Sequence, residues 1–139
     1  MTAKEYLEQA FTLDQRINCM LEQQSTLKEL ATRTTHVLRH DVVDQTRDVH
    51  RREEIIAKII DMEKEIDAEI DRLVDLKREI YQVIGQVENP VYQTLLELRY
   101  LSFRTWDEIG AEMNYTRSTL MKYHKQALKE MEIPIIPES

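Results

Sequence analysis

Along much of the first 88 residues, apolar or small side chains return at alternating spacings of four and three, and no other feature limits the fold as much. Tyr6, Ala10, Leu13, Ile17 and Met20 begin one such stripe, and Gln24, Leu27 and Ala31 continue it. The spacing predicts one amphipathic helix of roughly 30 residues, from Thr2 to about Ala31. A second stripe runs through Ile56, Ile59, Glu63, Ile66, Ile70, Leu73, Lys77, Ile80, Ile84 and Val87. Ile55, Ile60, Met62, Leu76 and Val83 widen it beyond the seam of a strict two-stranded coiled coil, which predicts more than one partner helix. With only two glycines and three prolines in 139 residues, little besides helix is expected.

The predicted fold class is therefore all-α. A long N-terminal antiparallel helical hairpin, coiled-coil-like, spans 1–88, and a small three-helix helix-turn-helix domain spans 89–132. The tail, 133–139, holds two of the three prolines and is expected to be extended. Between the two stripes, TRTTHVLRHDVVDQTRDVHRR is rich in β-branched and short polar residues that lower helix propensity, which places a connection at about 33–49. An exposed apolar stripe needs a neighbouring helix, and the nearest in sequence is the other stripe. Pairing within one chain and pairing between two chains in a dimer both fit the pattern.

Asn89-Pro90 ends the second long helix, because the residue before a proline avoids the α region while proline suits a first helical position. Three short helices follow, in PVYQTLLELRYL, WDEIGAEM and RSTLMKYHKQALKEM. Thr105 and Glu108 have the spacing of a capping box, so a helix begins at 106. Gly110 offers no side chain where the next helix must cross closely. Asn114, four residues on, suits the left-handed conformation that a tight turn needs, and Thr116 caps the last helix. Together these residues spell a helix-turn-helix.

Charge gives the motif its direction. The chain carries net charge -7, yet residues 1–89 hold 13 basic and 19 acidic side chains while 90–139 hold 6 and 7. From Tyr115 to Lys129 there are four basic residues, Arg117, Lys122, Lys125 and Lys129, and no acidic one. The last helix is thus locally positive on a chain with no long-range attraction for a polyanion. Weak binding of double-stranded DNA by one copy is expected, with specific recognition needing a second copy or another protein.

The segment TWDEIGAEMNYTRSTLMKYHKQALKEM resembles region 4 of sigma-70-type transcription factors. Thr105, Glu108, Ile109, Gly110, Thr116, Arg117, Leu120, Ala127, Leu128, Lys129 and Met131 fit that pattern, and Leu95, Leu98, Arg99 and Tyr100 resemble the segment leading into it. The whole chain also resembles small proteins of phages and prophages of Gram-positive bacteria, akin to late-transcription regulators. The resemblance implies a DNA-binding regulator of phage or prophage transcription, acting as a dimer or with RNA polymerase. It implies a DNA-facing set of Arg117, Ser118, Thr119, Met121, Lys122 and Lys125, with Arg104, Thr105, Thr116 and His124 serving the phosphate backbone. The family usually presents long polar side chains where this chain has Ser118, Thr119, Met121 and Lys122, and Met121 offers a base edge no hydrogen bond.

Other function classes find less support. There is no Gly-rich phosphate loop, nucleophile elbow or other catalytic signature, and no enzymatic activity or cofactor is expected. His36, His40 and His50 lie near Asp41, Asp44 and Asp48, but no cysteine joins them and no metal site is expected. The single cysteine, Cys19, cannot close an internal disulfide, and no signal peptide or long apolar run is present, so a cytoplasmic protein without membrane attachment is expected. A helical interaction or assembly protein, such as a small subunit for DNA packaging, is the alternative function, since about two thirds of the chain is interaction-type helix.

Overall fold

The computed structural model describes residues 1–38 and 45–134, and helices are the only regular elements among them. They are α1 (Ala3–Leu38), α2 (Gln45–Ile84), α3 (Pro90–Tyr100), α4 (Trp106–Met113) and α5 (Arg117–Glu130). The fold is all-α, with two long helices followed by three short ones. The long helices reach into the segment 33–49 from both sides. His40, Asp41 and Asp44 lie outside the described residues, as does the tail beyond residue 134. Among the described residues no helix is long and apolar enough to cross a membrane.

The predicted stripe of α1 is its inward face. Tyr6, Ala10, Leu13, Ile17 and Gln24 are buried, and Met20, Leu27 and Ala31 are half-buried. The wide seam of α2 divides into two faces. Ile59, Met62, Leu73 and Leu76 are half-buried and Ile66 and Ile80 buried, whereas Ile56, Ile60, Ile70 and Val74 are exposed.

The chain forms two compact units. One is Gln15–Arg72, where α1 and α2 run antiparallel. There the Gln24 side-chain amide donates to the Ile59 carbonyl at 3.4 Å, and Arg16 lies 4.0 Å from Glu69, which also pairs with Arg72 at 2.9 Å. Gln24 keeps a polar group inside an apolar face because that carbonyl accepts its hydrogen bond.

The other unit comprises Met1–Asp14 and Leu73–Ser139. Its core joins Tyr6, Leu7 and Ala10 of α1 to Ile80, Val83 and Ile84 of α2 and to Val87 beyond it. The same core takes in Leu95, Leu96 and Tyr100 of α3, Ile109 of α4 and Leu120 and Ala127 of α5. Residues on both sides of residue 88 therefore share one interior. Asn89 caps α3, its side chain accepting from the Val91 N–H at 2.9 Å, with Pro90 at the first helical position. Gln93 closes the turn from the other side by donating to the Gly85 carbonyl at 3.1 Å and to that of Val87.

Leu7 is fully buried in this core, 83 or more residues from the helices it covers. Leu7→Ala is expected to cost about 2–5 kcal/mol in urea unfolding, the usual range for truncating a buried leucine. A cost below about 1 kcal/mol would show that the start of α1 is not part of the interior.

Candidate nucleic-acid interface

Each local signal in the motif takes the geometry its residue type favours. The Thr105 hydroxyl accepts from the Glu108 N–H at 3.2 Å, while the Glu108 carboxylate accepts from the Thr105 N–H at 3.3 Å and hydroxyl at 3.0 Å. This capping box starts α4, and those donors hold the Glu108 carboxyl below its ordinary pKa. Asn114 closes α4 in the left-handed region at φ 60°, its N–H bonded to the Gly110 carbonyl. A Cβ on Gly110 would lie 3.0 Å from the Tyr115 carbonyl oxygen and 3.5 Å from a Leu120 methyl, so the turn passes directly over this residue. Thr116 then caps α5, its hydroxyl accepting from the Thr119 N–H at 3.3 Å.

Anchoring α5 by one face exposes the other. Leu120 and Ala127 are fully buried. At 100° per residue, Ser118, Met121, Lys122 and Lys125 occupy a single arc on the opposite side, and all four are exposed. Arg117 stands exposed at the first position of the helix, where N–H groups and the helix dipole favour an anion. Thr119 is half-buried; its hydroxyl accepts from that of Thr116 at 3.0 Å. Among the described residues, Arg117, Lys122, Lys125 and Lys129 form no ion pair, so their charge is not neutralised within the chain.

Arg104 and His124 are engaged elsewhere. Arg104 pairs with Glu112 at 2.9 Å on a half-exposed surface beside the Thr105 cap. His124 is half-buried, with its Nε2 2.6 Å from the Tyr100 hydroxyl, its ring stacked on Tyr100 and edge-on to Trp106 at 4.8 Å between centroids. Burial, reinforced by the charges of Lys4 and Arg99, pushes the His124 pKa down to about 4. Burial, with the Glu8 charge adding to it, pushes Tyr100 up to about 12. Both shifts keep the tyrosine protonated and the imidazole neutral, and the imidazole tautomer sets which of the two donates the hydrogen bond they share. His124 therefore positions α5 against α3 and brings no positive charge to a phosphate.

Several side chains near this surface make contacts that the sequence does not announce. Arg99 lies over the Trp106 ring at 4.7 Å and donates to the Arg104 carbonyl at 3.0 Å, fixing the approach to α4. Phe103 adopts φ 55°, an uncommon conformation for an aromatic residue, with Phe11 edge-on to it and the Lys77 ammonium 4.5 Å from its ring centre. Phe11, Arg99, Phe103, Trp106, Met121 and His124 are among the residues that line a cavity of about 500 Å³. Only contacts between residues distant in sequence create it. Among the described residues no group of three histidine, cysteine or acidic side chains is placed to hold a metal ion.

Two measurements test this geometry. Asn114→Ala is expected to destabilise the protein by about 1–2 kcal/mol, because alanine pays the left-handed penalty, whereas Asn114→Gly should be tolerated. Equal stability of the two variants would contradict the turn. For His124, the folded pKa lies below the unfolded value of 6.5. Its contribution to stability is therefore complete above pH 6.5 and declines as pH falls toward 4. An NMR titration of the His124 ring should give a midpoint near 4; a midpoint at 6.5 would contradict its buried, tyrosine-bonded state.

The family model described as "Protein of unknown function (DUF1492)" matches residues 34–132, more than half of the chain. No curated protein and no solved structure matches it.

Proposed function

The chain belongs to the DUF1492 family, and we propose that it is a DNA-binding regulator of phage or prophage transcription that reads double-stranded DNA with α5. The observation that carries this reading is a helix held from one side by Leu120 and Ala127 while its outer arc presents Ser118, Met121, Lys122 and Lys125. The two-helix arrangement with a left-handed turn residue is the one by which helix-turn-helix proteins set a second helix in the major groove. The resemblance to sigma region 4 points the same way.

In this reading Arg117 meets a phosphate or a guanine at the helix start, Lys122 and Lys125 meet phosphates, and Ser118 and Thr119 reach base edges or the adjoining backbone. Met121 contributes apolar contact, such as with a thymine methyl. Thr105, Thr116 and Arg104 flank the backbone, Arg104 after leaving Glu112. His124 supports the helix from behind.

A few cations on a chain of net charge -7 supply limited affinity. Regulation then requires a second copy of the chain or RNA polymerase to hold α5 at its site, in the cytoplasm and without enzymatic chemistry. The assembly-protein alternative draws on the exposed apolar residues of α2. A closed ring of many subunits in light scattering would favour it.

Electrophoretic mobility shifts on promoter fragments from the surrounding phage or prophage genes test the reading. Binding should weaken with salt. Lys125→Ala should weaken it about equally for all sequences and reduce the salt slope by about one phosphate contact. Retained binding in a Lys122→Glu, Lys125→Glu double variant would rule α5 out as the DNA-reading element.

A further inference from the structure

The cavity of about 500 Å³ beside α5 is lined wholly by residues of the unit formed by Met1–Asp14 and Leu73–Ser139. Its lining includes the rings of Phe11, Tyr100, Phe103, Trp106 and His124. A cavity of this size, largely aromatic and carrying a few polar groups, has the composition of a small-molecule site. Phe11 is 46% exposed, so part of the lining is open to a ligand arriving from solvent. Phe103 keeps its place there at φ 55°, and an aromatic residue persists in the left-handed region only where its surroundings impose it.

The charges around the cavity select the ligand. An aromatic lining by itself suits a cation, which the faces of the rings attract. Here the cations are already present. Lys4 and Arg99 line the cavity against one carboxylate, that of Glu8, which lies 3.9 Å from the Lys4 ammonium. Arg99 forms no ion pair among the described residues; it lies over Trp106 and donates to the Arg104 carbonyl, which leaves further N–H groups of its guanidinium open to an acceptor. The Lys77 ammonium adds positive charge 4.5 Å from the centre of the Phe103 ring. His124 registers this field, since after burial it is Lys4 and Arg99 that disfavour its charged form. With Nε2 of His124 bonded to Tyr100, its other ring nitrogen has no partner among the described residues.

We propose that this cavity binds a small planar aromatic anion, its ring among Phe11, Phe103 and Trp106 and its anionic group paired with Arg99 and Lys4. Burying the ring releases water from aromatic surface, and the anionic group accepts from donors that the chain leaves open. The same positive charges disfavour a cation, and a neutral molecule of equal shape lacks the charge-assisted hydrogen bonds. Thr105 and Met121 of the proposed DNA-facing set also line the cavity. Ligand binding is measured without DNA, so its failure and the failure of the DNA reading are separate results.

The test uses the full chain with naphthoate as the probe. Trp106 is the one tryptophan in the sequence, so its indole N–H gives a single NMR signal. That signal should shift and saturate, and naphthoate should bind roughly tenfold or more tightly than naphthalenemethanol, a neutral probe of the same outline. Naphthylmethylamine, a cation, should bind more weakly than either. No shift at Trp106 up to about 1 mM naphthoate, or equal affinity for the three probes, overturns the proposal. So do shifts centred on the exposed Val74 and Tyr81 of α2, which would mark adsorption to an apolar surface. Lys4 is exposed, and Lys4→Glu should weaken naphthoate by roughly threefold or more while leaving naphthalenemethanol and the circular dichroism unchanged. Equal binding of naphthoate by this variant and the wild type overturns the pairing. Should the variant lose helix, Phe11→Ala decides: it should weaken both probes, and unchanged binding overturns the site.

Discussion

One apolar interior, built from all five helices, holds α5 in place and sets what it presents. Three helices of 11, 8 and 14 residues bury too little surface to be stable by themselves. Here Tyr6, Leu7 and Ala10 arrive from the start of α1, and Ile80, Val83 and Ile84 from the end of α2, to join Leu95, Leu96, Ile109 and Leu120. The outer arc of α5 is solvent-facing because its inner arc belongs to this core. Loosening the first turns of α1 would therefore reach the proposed DNA surface without touching it.

The sequence made the periodic and local features legible. Every stripe position assigned on α1 from Tyr6 to Ala31 faces inward, because a long regular helix leaves burial to spacing alone. The capping box at Thr105, the left-handed Asn114 and the Thr116 cap are likewise visible, since each depends on residues within a few positions of one another. Features made by distant residues were not. Nothing near His124 announces that Tyr100 would bond it or that Lys4 and Arg99 would suppress its charge. Phe103 sits in a left-handed conformation that its own residue type disfavours, held among Phe11 and Lys77 from the two long helices. The extra width of the α2 seam was plain in the sequence, but its division into an inward and an outward face required the position of α1.

Electrostatics and assembly belong together in this protein. The excess of acid lies on the long helices, while α5 keeps its cations unpaired among the described residues. In the proposed DNA-binding role, such a charge distribution would give DNA little reason to hold a single copy and would make affinity depend on bringing two α5 helices to two half-sites, or one to a polymerase. Specificity would come from few contacts, because the helix start offers short hydroxyls and a methionine where longer polar side chains are usual in the sigma region 4 pattern.

The central claim is that α5 is the surface that meets DNA, and a titration of ¹⁵N-labelled protein with a promoter duplex tests it most directly. The account predicts that amide shifts concentrate at Arg117, Ser118, Met121, Lys122 and Lys125, extend to the Thr105 and Thr116 caps, and fade as salt is raised. Shifts confined to α1 and α2, or none at any duplex concentration, would contradict it.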